Sequence, residues 1–394
     1  MTRGRRSRRS CVSGVPPVGA VALALTVVTS LAVVPTANPQ SVRCAVAAEG
    51  GTLPVDVPLP HDRSTGAGVA VAVVDTGASS PGVVAGDGRE GSGDLDHCVL
   101  HGTAVAGVIR SVAPDALVVS HRQLTDHGGG TVAGLVDALD RAVANSGGPG
   151  ATGSPRVRVV NMSLVACQDT AELRRAVADA ENAGLLVVAA AGNSGQCGAE
   201  QQPFPASLPG VLAVGGVEMR HPDPATLDDL GRGRRTAEYS LPGPWVEIAA
   251  PGGPVSTVLD TGGRTVTVVG DPEPFIGTSF AAPVVAATAA LVWQVRPELT
   301  PQQVRTLLVE SASPGPVPVV DPSAAVTAAS AGEPVRTDGD ARPAPAVPAT
   351  MPATTPPHLR DPRVPTTLAL LVSAIVVGTV IRRRPRAVPD MRTR

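Results

Sequence analysis

The chain has no lysine. All 32 basic residues are arginine, and with alanine, valine, glycine and proline so abundant this reads as a bias toward GC-rich codons, not as function. Acidic and basic residues nearly cancel, leaving a net charge of −2, which argues against the basic face that a nucleic-acid partner calls for. Aromatic residues are almost absent, with three Phe, two Trp and one Tyr, so a core must be built from small aliphatic side chains. Cysteine is sparse, at five. No Cys-x-x-Cys or His-x-x-x-His spacing joins cysteine pairs and nothing reads as a calcium loop, so neither metal nor cofactor is expected.

Long apolar runs are confined to the two ends and one internal segment. Arginines between residues 3 and 9 precede an apolar run from Val15 to Val34 and small residues around Ala37, the pattern of an export signal over residues 1–37. A retained anchor is the competing reading, weakened by Pro16, Pro17 and Gly19. Arg8-Arg9 hints at twin-arginine export, but the residues after it fit the general secretory route better. At the other end, residues 366–381 carry no charge and are followed by Arg382-Arg383-Arg384-Pro385-Arg386. The run is slightly short of the usual span of about 20 residues, and Val364 and the arginine stems extend it. Basic residues after a span stay in the cytoplasm. The expected topology is therefore single-pass, with a cytoplasmic tail over 382–394 and the main domain outside the cell membrane. A Pro/Ala/Thr-rich linker over 329–365 separates the span from everything globular, which argues against a buried soluble helix.

Cys11 falls in the signal, leaving Cys44, Cys98, Cys167 and Cys197 for an oxidising compartment. Four cysteines permit three pairings; because Cys167 and Cys197 each follow an expected core strand that meets the site, 44–98 and 167–197 are favoured. Residues 38–66 are proline-rich and irregular, either wrapped along the next domain or a loose linker.

From 67 to 328 short apolar runs alternate with helical periodicity. Strands are expected at 69–74, 117–121, 157–162, 185–190 and 211–217, each a near-continuous Val/Leu/Ala run of the kind buried on both faces of a parallel sheet. Helices are expected at 103–110, 131–144, 171–183 and 280–295, the third capped by Asp169 with Glu172 and the last holding Pro283 in its first turn. Another follows Thr300 as N-cap, with Pro301 at the first position and Gln303 closing a capping box, and the globular part is expected to end near 321–326. The alternation predicts an α/β fold with a doubly wound, mostly parallel sheet flanked by helices. Ligands bind such sheets at the carboxyl ends of the strands, where Asp75, Ser163 and Asn193 fall.

Four glycine-marked segments carry the chemistry. Asp75-Thr76-Gly77 ends the first strand, His101-Gly102-Thr103-Ala104-Val105-Ala106-Gly107 opens a helix, and Gly277-Thr278-Ser279-Phe280-Ala281-Ala282-Pro283 opens another. Ala190-Ala191-Gly192-Asn193-Ser194-Gly195 offers a side-chain amide. A serine hydroxyl needs a base within reach, and His101 supplies one. Asp75 would fix its tautomer, and Asn193 with the helix amides at Ser279 would stabilise an oxyanion. Asp-Thr-Gly also marks aspartic proteases, but these need a pair of such segments and only one has a suitable setting.

The order Asp, His, Ser and all four segments resemble the subtilisin-like serine proteases, and within them the mycosins, membrane-anchored proteases associated with type VII secretion. The resemblance covers residues 68–328 and implies that Asp75, His101 and Ser279 form a catalytic triad and that Asn193 completes the oxyanion hole. It also implies that Asn161-Met162-Ser163-Leu164, with Gly192, binds the substrate backbone. Phe204-Pro205-Ala206 resembles a family turn in which Pro205 is cis, and the two mycosin bridges point to the same cysteine pairing as above. Three departures stand out: Val165-Ala166-Cys167 replaces glycines and would narrow the cleft, Ala104 replaces a second histidine, and residues 96–100 fit the pattern loosely. The arginine-rich 231–235 insertion reads as a solvated loop, and His61, His121, His127, His221 and His358 have no partner pattern.

The implied activity is a membrane-anchored, extracytoplasmic serine endopeptidase acting on protein or peptide substrates, held by its C-terminal helix and associated with a type VII secretion complex. Two alternatives are a general degradative secreted subtilisin, which the tether and span oppose, and a mainly structural component of a membrane secretion complex.

Overall fold

β2 (Val69–Asp75) is buried along its whole length, and its alternate side chains serve two different cores. Val69, Val71 and Val73 pack with α1 (His101–Val112) and α4 (Thr278–Val295), while Ala70, Ala72 and Val74 pack with α2 (Val132–Ala144) and α3 (Ala171–Asn182). A period of two on a strand covered on both faces is what an unbroken Val/Ala run produces. These coordinates come from a computed structural model that describes residues 45–47, 55–86, 100–123, 130–146, 156–198, 201–218, 235–260, 265–270 and 274–335.

Within them β2 lies between β4 (Leu117–Arg122) and β5 (Arg156–Met162). With β3 (Val83–Ala85) outside β4, and β6 (Leu186–Ala190), β7 (Leu212–Val217) and β8 (Val246–Pro251) beyond β5, the order is β3-β4-β2-β5-β6-β7-β8, parallel throughout. The chain leaves β2 toward β4 and then returns to β5 on the other flank. The carboxyl end of β2 therefore sits where the winding reverses, the point at which such sheets open a crevice. β1 (Ala45–Ala47), β10 (Thr265–Gly270) and β9 (Thr257–Asp260) form a separate antiparallel sheet.

α4 runs through the core. It is long and apolar enough to cross a membrane, yet 89% of that stretch is buried inside the domain. Its alanines permit close approach to α1 and to the sheet, and Trp293, 1% exposed, closes its end by donating to Leu299 O at 2.9 Å. Gln294 Oε1 receives the amides of Thr65, Gly66 and Ala67 and the Ser64 hydroxyl, at 2.6–3.0 Å, which ties the chain before β2 to α4.

The expected strands and helices are present with ends within two residues. Two local expectations are corrected. α3 is capped by Thr170, whose hydroxyl accepts from Leu173 N–H at 3.2 Å; Asp169 instead pairs with Arg174, a stronger charge-assisted partner than a backbone amide. Pro283 is the sixth residue of α4, in its second turn, because the helix begins at Thr278. α5 (Pro301–Glu310) carries the full capping box between Thr300 and Gln303, and α6 (Pro322–Ser330), capped by Asp321, continues the fold past 321–326. The signal 1–37, the linker from 336 and the apolar run 366–381 lie outside the described residues.

Candidate active site

Asp75 ends β2 at the mouth of the crevice and is 3% exposed. Its Oδ1 accepts from Thr76 N–H at 2.7 Å and from His101 Nδ1 at 2.8 Å, and Oδ2 lies 3.1 Å from the same nitrogen. His101 opens α1 directly across the turn. Leu100, at the N-cap, offers no acceptor, so the Thr76 hydroxyl takes over and accepts from Gly102 N–H at 3.0 Å. A Cβ at residue 102 would come within 2.2 Å of Gly77 O and 3.1 Å of the Asp75 side chain, so only glycine lets the helix start this close to the carboxylate.

Facing a carboxylate, Nδ1 must hold the proton of the neutral imidazole, which leaves the Nε2 lone pair to accept another. Burial alone would lower the His101 pKa, but the Asp75 charge and hydrogen bond together outweigh it and hold the group above its ordinary value of 6.5. The side chain keeps 32% of its surface exposed, so it is open to a ligand.

Ser279 is the second residue of α4 and 8% exposed. The ring of Phe280, its neighbour, lies 5.2 Å from the His101 ring, which brings the start of α4 against His101. The Ser279 hydroxyl lies 3.3 Å from Ser163 O, to which it donates, and turning about the Cβ–Oγ bond redirects that proton.

Asn193 follows β6 and lies beside the same helix end. Its Oδ1 accepts from the Thr278 N–H and hydroxyl, both at 3.0 Å. Because a backbone N–H can only donate, this fixes which amide atom is oxygen and leaves Nδ2 as a donor. The residue before Thr278 must be small: a Cβ at Gly277, where φ is +144°, would come within 2.9 Å of Nδ2. Thr278 N–H is taken by Asn193 Oδ1 and Phe280 N–H by Gly277 O, so Asn193 Nδ2 and the Ser279 N–H at the positive end of α4 are the donors left for a negative oxygen.

Ser163 and Leu164 follow β5; Ser163 is buried and hydrogen-bonded to Ser279, and Leu164 is half-buried against the core that includes α2 and α3. Gly192 is buried among Val165, Pro203 and Leu241. Ala166 and Phe204 exchange backbone hydrogen bonds at 2.7 and 2.8 Å, the Phe204–Pro205 bond is cis, and a disulfide joins Cys167 to Cys197, 30 residues apart. Closing such a loop stabilises the fold by about 3–4 kcal/mol. Cys44 and Cys98 lie outside the described residues.

Sequence reasoning missed Thr76, which caps α1, and Thr278, which orients Asn193. Neither announces itself, because each acts on a residue remote in sequence.

Residues 66–334 match the model of the subtilase family, peptidase S8. Mycosin-1 of Mycobacterium tuberculosis is 34% identical over 290 residues, which cover 62% of this chain and 63% of that protein. The match thus falls short of two thirds of that relative's length. Subtilisin DY of Bacillus licheniformis is 30% identical over 66% of this chain and 92% of its own. The solved structure of the MycP3 protease from the type VII (ESX-3) secretion system superposes with a TM-score of 0.56 at 28% identity, covering 74% of this chain and 93% of that one.

Proposed function

Since the chain belongs to the subtilase family, we propose that it is a serine endopeptidase with Ser279 as nucleophile, His101 as general base and acid, and Asp75 as the group that orients His101. The observation that carries this reading is the Asp75–His101 hydrogen bond of 2.8 Å set against the start of α4, where Ser279 and Asn193 meet. In the first half-reaction the Ser279 oxygen bonds to the substrate carbonyl carbon while its proton passes to His101 Nε2. The carbonyl oxygen becomes an oxyanion, accepting from Asn193 Nδ2 and the Ser279 amide. Collapse breaks the C–N bond, His101 returns the proton to the departing amine, and an acyl-enzyme remains. Water then attacks the ester with His101 again as base, releasing the acid and the free serine. Ser163, Leu164 and Gly192 border the path of the substrate backbone on this reading.

The same proposal places the domain outside the cell, held by the apolar run 366–381 and the arginines after it. Mycosin-1 and the MycP3 structure support an association with type VII secretion. Two experiments test it together. Purified protein should cleave peptide substrates, and Ser279→Ala should abolish cleavage; undiminished cleavage would remove Ser279 from the mechanism. A chain truncated before Thr366 should be released into the medium as an active domain while the full chain fractionates with membranes. If the truncated chain stays membrane-bound after export, the N-terminal apolar run is the anchor instead. If Ser279→Ala leaves secretion intact while a cleavage product disappears, the role in the complex is structural as well as proteolytic.

A further inference from the structure

Pro283 has no N–H, and in a regular helix that N–H would donate to the carbonyl four residues back, which is Ser279 O. The proline therefore deletes the helix bond that would hold the backbone of the residue read above as the nucleophile. A proline ring in a helix also crowds the carbonyl four residues back. The freed oxygen is not left unmet. Ser163 Oγ donates to it at 2.6 Å, and Asn161 Nδ2 in turn donates to Ser163 Oγ at 3.0 Å. Asn161 and Ser163 are 0% and 3% exposed, so these bonds are shielded from bulk solvent. The three groups form one directed chain: the amide donates to the hydroxyl, and the hydroxyl's single proton is committed to Ser279 O.

We propose that Ser163 is a positioning residue whose hydroxyl replaces, from the end of β5, the bond that Pro283 removes from α4, and so sets the direction of the Ser279 side chain. The inference rests on Ser279 being the nucleophile. It transfers the role of the Ser163 side chain from touching substrate to fixing backbone, while the Ser163 carbonyl accepts from the Ser279 hydroxyl. A helix with its own bond at residue 279 would hold that carbonyl along the axis. The substitute bond comes from a different element, so the angle of the first turn is set by the sheet, which also carries Asp75 and Asn193.

A double-mutant cycle on peptide hydrolysis tests this. Ser163→Ala should lower kcat by about ten- to a hundredfold, the scale of a small misplacement of reacting groups, with KM nearly unchanged. Pro283→Ala restores an N–H that can bond Ser279 O. In that background the same Ser163→Ala change should cost less than about threefold, because the carbonyl no longer depends on it. Ser163→Thr keeps the hydroxyl and should retain most of kcat. If Ser163→Ala does not fold, Asn161→Ala provides the second arm, with a smaller loss that also shrinks in the Pro283→Ala background. Equal losses in both backgrounds would overturn the proposal, as would a loss confined to KM, which would return the Ser163 hydroxyl to substrate contact. Failure of the underlying reading looks different: Ser279→Ala would then retain activity and the cycle would lose its object.

Discussion

Asn193 Oδ1 accepts two hydrogen bonds from Thr278, one from the backbone and one from the hydroxyl, each 3.0 Å long. The residue before the proposed nucleophile thereby orients the proposed oxyanion donor, so both reactive groups move with the start of α4. Asn193→Leu should lower kcat by about 10²–10³ with little change in KM, the scale measured when the equivalent donor of subtilisin itself is removed. Thr278→Val removes one of the two anchors and should cost far less, since the backbone bond survives. Steady-state kinetics on one peptide series check both; a KM effect in Asn193→Leu would mean that the amide binds the ground state.

The raised His101 pKa has opposite consequences for activity and stability. As a base His101 must be neutral, so kcat/KM should climb with pH through a limb lying above 6.5. Asp75→Asn removes both influences that raise the pKa and leaves burial, which lowers it. The limb should move to lower pH and the rate should fall by about 10⁴. For stability the sign reverses. A pKa raised on folding contributes stability that is complete below the unfolded value and is lost as pH rises through the folded one. The advantage of wild type over Asp75→Asn in thermal midpoint should therefore be largest below pH 6.5 and shrink above it. A limb that stays put in Asp75→Asn would disconnect the carboxylate from the base.

Val165 should restrict the residue on the acyl side of the cut bond. A Cβ built on Gly192 would lie 3.5 Å from Val165 Cγ2, which puts Cγ2 within about 5 Å of Gly192 Cα after adding one roughly 1.5 Å bond. A side chain sandwiched between two apolar walls needs about 7–8 Å, twice a normal carbon contact. Peptides with Gly or Ala at that position should outrun those with Leu or Phe. Val165→Gly should raise kcat/KM for Leu and Phe relative to Ala by about tenfold or more. An unchanged ratio would show that the side chain goes elsewhere.

Much of this was legible in the sequence because the informative features are local. β2 and β6 are Val/Leu/Ala runs, β5 and β7 are valine-rich with few interruptions, and each triad candidate sits within two residues of a glycine at the end of a strand or the start of a helix. β3 and β8 were not legible: one has three residues, and the other carries Glu247 and ends in Pro251, which look like loop. The Thr170 cap was missed because Asp169 satisfies the same composition rule one residue earlier, and only the folded chain shows Arg174 claiming it. The bond from Ser163 to Ser279 O was half legible. A proline four residues after a serine announces an orphaned carbonyl, but the donor comes from 116 residues away and needs the sheet to deliver it.

The central claim is that Ser279 is the nucleophile, activated by His101. A fluorophosphonate probe followed by peptide mass spectrometry reads this directly. The account predicts one labelled serine, Ser279, with labelling abolished in Ser279→Ala and sharply reduced in His101→Ala. Label on any other serine, or persisting in Ser279→Ala, would contradict it.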